Sequence, residues 1–128
     1  MAQAVIILAM FENWRVTMFV NYTYNATVTR VIDGDTFDAD VDLGFNVIIK
    51  ERFRLYGLNA PEIHGEEKGR GERARQWLAG QIEGKFVTVN SVRKEKYGRW
   101  LAVVNSAGKN VNDEMVAEGL ASKYLLEK

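Results

Sequence analysis

The sequence contains no cysteine, which excludes disulfides and thiolate metal sites and leaves the redox compartment open. It has one histidine, His64, in a Gly/Glu-rich stretch where it reads as an exposed loop residue rather than a functional one. No stretch approaches the roughly twenty apolar residues that a membrane span requires. The apolar run from Ala4 to Phe11 is preceded by no basic residue and followed by Glu12, Asn13 and Arg15. That makes a poor secretion signal, so a cytoplasmic location is favoured over a secreted one. Net charge is absent too, with 17 Lys and Arg against 17 Asp and Glu. The distribution is uneven, however: residues 68–99 hold 9 basic side chains and 3 acidic ones. A chain that segregates charge in this way can hold a metal at one place and a polyanion beside it.

What is present suits a folded protein. A chain of 128 residues, 47% hydrophobic, is the size of one domain around a single core. Asn25 to Ile32 is rich in β-branched residues and predicts a strand. Asp33-Gly34-Asp35 is a turn signal. Phe37 to Leu43 then alternates apolar and acidic residues, a half-buried strand whose Asp38, Asp40 and Asp42 line a solvated face. After Gly44-Phe45-Asn46, Val47 to Leu55 returns as a third strand. Residues 63–69 read as a surface loop. Ala74, Trp77, Leu78 and Ile82 recur at helical spacing and predict a helix over about 71–83, with Gly84 as its stop. Lys85 to Val92 and Arg99 to Asn105 follow as strands, and a short helix runs near Asn112 to Glu118. Asn112 is the expected N-cap of that helix and Gly119 its stop. Trp77, Phe86 and Trp100 are expected in the core. Three strands, a helix, two strands and a helix predict an α+β domain, mainly β: a five-stranded OB-like Greek-key barrel with two helices.

The chain turns around Phe53 to Glu62. Phe53 and Leu55 can face a core while Arg54 faces away, and the single proline, Pro61, ends the ladder. Asp35, Asn59 and Glu62 thus stand at strand ends, and such oxygen donors suit a hard cation such as Ca²⁺. Arg54 and Arg99 offer the bidentate grip on phosphate that lysine cannot reproduce. Glu62 can take a proton from water or orient it. Lys96 and Tyr97 can contact a phosphate and stack on a base or sugar. Together these are the parts that phosphodiester hydrolysis requires.

Val31-Ile32-Asp33-Gly34-Asp35-Thr36, then Phe53-Arg54-Leu55 leading into Ala60-Pro61-Glu62, then Lys96-Tyr97-Gly98-Arg99 resemble the staphylococcal nuclease family in order and spacing. Val111-Asn112 and Gly119-Leu120-Ala121 match its later helix and the segment after it. The resemblance implies a domain over residues 21–128, preceded by an N-terminal extension over residues 1–20 to which the sequence assigns no role. It also implies a Ca²⁺-dependent nuclease acting on DNA and RNA with little sequence preference, expected as a monomer. On the same resemblance Asp35, the side chain of Asn59 and the carbonyl of Ala60 hold the metal, and Glu62 acts through the attacking water. Arg54 and Arg99 bind the phosphate and stabilise its transition state, and Lys96 and Tyr97 contact the nucleotide. Position 59 departs from the best-known member, which has Asp there. The alternative is a binding module of the same fold without turnover. The presence of Arg54, Glu62 and Arg99 together favours the enzyme.

Overall fold

The structure, a computed structural model, describes residues 22–124, so the extension over residues 1–20 lies outside the described residues. Strands β1 (Thr23–Asp33), β2 (Thr36–Asp42) and β3 (Ile48–Leu55) form an antiparallel meander. A short β4 (Leu58–Asn59) and a 3₁₀ turn (Gly65–Glu67) lead into helix α1 (Lys68–Ile82). Then come β5 (Phe86–Lys94), β6 (Trp100–Ser106), β7 (Lys109–Asn110), helix α2 (Val111–Ala117) and β8 (Ser122–Lys123). The sheet runs β3-β2-β1-β5-β6. It closes on itself because β6 also pairs in parallel with β3, Phe53 opposite Trp100 and Leu55 opposite Ala102. The result is the expected barrel with two helices. No helix among the described residues is long and apolar enough to cross a membrane.

Alternation explains most of the inward positions, but β1 changes phase midway. Ala26 and Val28 face the core, and so does Val31, which a strict period of two would turn outward. The pairing shows why: Val28 lies opposite Ala39 and Arg30 opposite Asp38, so Thr29 is an extra residue on β1. Such a bulge shifts the inward set by one position and bends the strand. It delivers the Asp33-Gly34-Asp35 turn to the barrel rim. Outside the barrel, Asp38 pairs with Arg52 and Asp40 with Lys50 across β2 and β3, so these aspartates do line a solvated face.

Helix α1 starts earlier than its apolar spacing suggests, and its first turn takes up part of the expected 63–69 loop. It buries Gly71, Ala74, Leu78 and Ile82 along one stripe, mostly against β1. Full burial of Leu78 and Ile82 contributes about 1.5–3 kcal/mol each. Trp77 and Trp100 are partly buried against the core, as expected. Phe86 is not: at 84% exposure it stands at the outer start of β5.

The cap of α2 also differs from expectation. Asn110, not Asn112, accepts from the Asp113 amide, at 3.0 Å. Asn112 is instead buried. Its Oδ1 accepts from the Val104 amide at 2.9 Å, and its Nδ2 donates to the carbonyls of Tyr56 (2.9 Å) and Ala102 (3.0 Å). One side chain thus ties α2 to β6 and to the turn after β3. Asn112→Ala leaves an amide and two carbonyls without those bonds, and the expected destabilisation is about 2–3 kcal/mol by urea unfolding. A midpoint equal to wild type would show that water replaces these bonds freely.

Candidate active site

Three chain segments meet at one rim of the barrel. In the turn between β1 and β2, Asp33 Oδ1 accepts from the Asp35 amide at 3.1 Å. Gly34 is needed there because a Cβ would come within 2.8 Å of the Cβ atoms of both Ala60 and Ala74. Asp35 follows, buried to 8% exposure. Its Oδ2 accepts from the Ala60 amide at 3.0 Å and faces Arg54 Nη2 at 3.5 Å. Its Oδ1 accepts from the Thr36 hydroxyl at 3.1 Å. Arg54 sits on β3 opposite Thr36, and its Nη2 also donates to Asn59 Oδ1 at 2.8 Å. The third segment, the turn before β6, brings Arg99, whose Nη1 donates to Thr36 Oγ1 at 3.4 Å. One connected chain of polar contacts therefore runs Arg99, Thr36, Asp35, Arg54, Asn59.

Thr36 is the member that motif reading assigns no role. It is buried to 3% exposure and joins the carboxylate to the second arginine. Its place beside Asp35 in the motif was the available signal, since an inward hydroxyl next to a buried carboxylate needs a partner. Glu95 is another. Its carboxylate accepts from the Tyr97 amide (2.8 Å), the Arg99 amide (3.1 Å) and Arg99 Nη2 (2.9 Å), shaping the turn and holding the guanidinium. That hydrogen bond from Arg99 is the main reason the Glu95 carboxyl is held below the usual range. Arg99 Nε is buried and makes no hydrogen bond.

These groups open into a cleft of about 560 Å³ lined by Arg54, Asn59, Lys96, Tyr97, Arg99 and Tyr124, among others. Tyr97 is 73% exposed at its edge, with Lys96 and Arg99 beside its ring. The Arg54 guanidinium lies 5.7 Å from the centre of the Tyr124 ring. A second cleft, between Tyr24, Leu43, Ile49 and Trp100, is mainly apolar and includes none of the predicted site residues. Glu62 stands apart. It is exposed in the loop after β4, and among the described residues its carboxylate makes no hydrogen bond or ion pair. His64 is exposed, as expected.

Asp33 is the electrostatic outlier. Burial, a side-chain hydrogen bond with Asp35 and repulsion from that second carboxylate raise its pKa from 3.8 to about 6. The native carboxyl thus holds its proton more tightly than the unfolded one. The resulting stability is fully present below about pH 3.8 and is lost as the pH rises through about 6. With metal removed by chelator, Asp33→Asn is expected to melt higher than wild type at pH 7, with the gap closing toward pH 4. Parallel melting curves across that range would mean that the repulsion is not felt by the fold.

Residues 52–128 match the family model of staphylococcal nuclease homologues. The chain belongs to the staphylococcal nuclease family. It is 38% identical to Protein ParB of Escherichia coli over 106 residues, covering 76% of this chain and 55% of ParB. It is 36% identical over 98 residues to an uncharacterized endonuclease of Escherichia coli O157:H7, covering 76% and 59% respectively. Endonuclease YhcR of Bacillus subtilis strain 168 is 32% identical over 115 residues, 80% of this chain but 9% of YhcR. The chain therefore spans little more than half the length of the first two. In this family member the matched range begins after the Asp33-Gly34-Asp35 turn, yet the fold places that turn against Arg54 and Ala60.

The family's metal can be tested against the residues present. Asp35, Asn59 Oδ1 and the Ala60 carbonyl are all oxygen donors, the chemistry a hard cation takes. The carboxylate count is low, and the described residues contain no cluster of three or more His, Cys, Asp or Glu suited to a metal. The donor set fits Ca²⁺ in kind, with Asn59 supplying a neutral oxygen that here also accepts from Arg54.

Proposed function

We propose that this nuclease-family chain hydrolyses phosphodiester bonds of DNA and RNA with little sequence preference, acts as a monomer and requires Ca²⁺. The observation that carries this reading is the run of contacts from Arg99 through Thr36 to Asp35, and from Asp35 to Arg54, with both arginines lining one cationic cleft. In such a cleft the two guanidiniums face a phosphate from two sides. Arg99 Nη1 and Nη2 each spend one hydrogen, on Thr36 and Glu95, and keep a second for a phosphate oxygen, and charge-assisted bonds of this kind are the strong ones. Asp35, Asn59 and the Ala60 carbonyl would hold the cation, which supplies Lewis-acid stabilisation of phosphate charge when bound. Glu62 orients the attacking water and accepts its proton. Its carboxylate is exposed and unengaged among the described residues, which leaves it free to take up a water. Lys96 and Tyr97 hold the flanking nucleotide by charge and stacking.

Incubating purified protein with plasmid DNA, denatured DNA and RNA, in Ca²⁺, in Mg²⁺ and in chelator, tests this directly. Cleavage is expected in Ca²⁺, with denatured DNA cut faster than duplex because a flexible strand reaches an open groove more easily. Binding without cleavage in millimolar Ca²⁺ at mildly alkaline pH would replace the enzyme with a binding module.

A further inference from the structure

Glu67 is the N-cap residue of α1, yet its side chain makes no capping bond to its own helix. Its Oε1 instead accepts from the backbone amide of Glu62 at 3.1 Å, and its Oε2 takes the guanidinium of Arg70 at 3.1 Å. One turn further on, Gly71 packs directly under the following peptide, Glu62–Ile63, on the other side of the Glu62 Cα. A Cβ there would land on the Glu62 carbonyl oxygen and carbon and come within 2.8 Å of the Ile63 nitrogen. Three residues later Ala74 meets Gly34, the centre of the turn that carries Asp35. One rigid helix thus touches both the turn bearing the buried carboxylate and the loop bearing the exposed one.

We propose that Glu67 is a positioning residue for the proposed hydrolysis, and that it acts on Glu62 through the Glu62 amide, with Gly71 as the seat. The proposal rests on Glu62 acting through the attacking water. The Glu62 carboxylate has no partner of its own among the described residues, so its place relative to Asp35 depends on how its backbone is held. Glu67 supplies that hold from one side and the close approach at Gly71 from the other. A positioned base loses rate steeply when it shifts by about an ångström, by up to roughly 100-fold. Arg70 keeps Glu67 turned outward from its own helix, where the first-turn amides would otherwise compete for the carboxylate.

The test compares wild type with Glu67→Ala, Glu67→Gln, Glu62→Ala and the Glu62→Ala/Glu67→Ala double variant. Each is measured for kcat and KM on denatured DNA in saturating Ca²⁺, for Tm, and for amide hydrogen exchange at Glu62 without metal. Glu67→Ala is expected to lower kcat by roughly 10- to 100-fold with KM and Tm little changed, and to speed exchange of the Glu62 amide. Glu67→Gln keeps an acceptor oxygen and recovers most of that loss. The double variant is no slower than Glu62→Ala alone, because a clamp on an absent carboxylate has nothing left to hold. Gly71→Ala, which displaces the adjacent Glu62–Ile63 peptide, is expected to lower kcat in the same way. The proposal is overturned by wild-type kcat and unchanged Glu62 exchange in Glu67→Ala, by a Gln variant as slow as Ala, or by a double variant whose loss is the product of the two singles. A wild-type rate in Glu62→Ala would sink the assignment of Glu62 instead, and the exchange measurement would still report whether Glu67 holds that amide.

Discussion

Arg54→Lys and Arg99→Lys are each expected to lose about 100- to 1000-fold in cleavage rate, or roughly 3–4 kcal/mol of transition-state stabilisation. The reason lies in how each guanidinium is used. A single Arg54 nitrogen faces both Asp35 and Asn59, which leaves the remaining donors of the fork for a phosphate. Arg99 spends Nη1 on Thr36 and Nη2 on Glu95, and its buried Nε has no partner. Lysine brings one compact ammonium on a flexible stem and cannot satisfy the fixed partners and a phosphate oxygen together. Rates on denatured DNA, with Tm measured alongside, decide the matter. A lysine variant that folds and turns over like wild type would remove that arginine from the phosphate site.

Asp35→Asn is expected to come close to abolishing Ca²⁺ binding, while Asn59→Asp is expected to tighten it. At an effective dielectric near 20, unit charges about 4 Å apart interact by roughly 4 kcal/mol, and a divalent ion doubles this before desolvation is subtracted. After that subtraction a carboxylate in place of Asn59 is worth about 1–3 kcal/mol, or roughly ten- to a hundredfold in affinity. The hydrogen bond from Arg54 to Asn59 argues for the lower end, because Asp at that position would share its charge with the guanidinium as well as the metal. Removing the charge of Asp35 has the larger effect. It is the buried carboxylate of the set, and its loss leaves Arg54 without its ion-pair partner. Calorimetry and Ca²⁺ titration of activity on the three proteins provide the comparison. Superimposable Ca²⁺ curves for wild type and Asn59→Asp would show that residue 59 does not touch the ion.

Alternation and spacing along the chain determined much of this protein. The five barrel strands, the apolar stripe of α1 and the glycines that end both helices are local features, and a window of about ten residues contains their cause. Gly84 and Gly119 take positive φ, as expected of residues that stop helices. The motifs named Asp35, Arg54, Asn59 and Arg99, which the fold brings into one network. Tertiary structure decided the rest. The bulge at Thr29 appears only when β1 is laid against β2, since an unpaired residue has no signature until its partner strand is present. Asn112 looks like a cap because asparagine commonly caps helices, but closure of the barrel surrounds it with backbone groups that its amide bonds on both sides. Phe86 is apolar in a strand, yet its face of the sheet has nothing packed on it. Thr36 joins Asp35 to Arg99, 63 positions away, and Glu67 grips the Glu62 amide rather than its own helix. Hydrophobic periodicity reports which side of an element is buried. It carries no information about which distant polar group arrives there, because that depends on the path of the whole closed sheet.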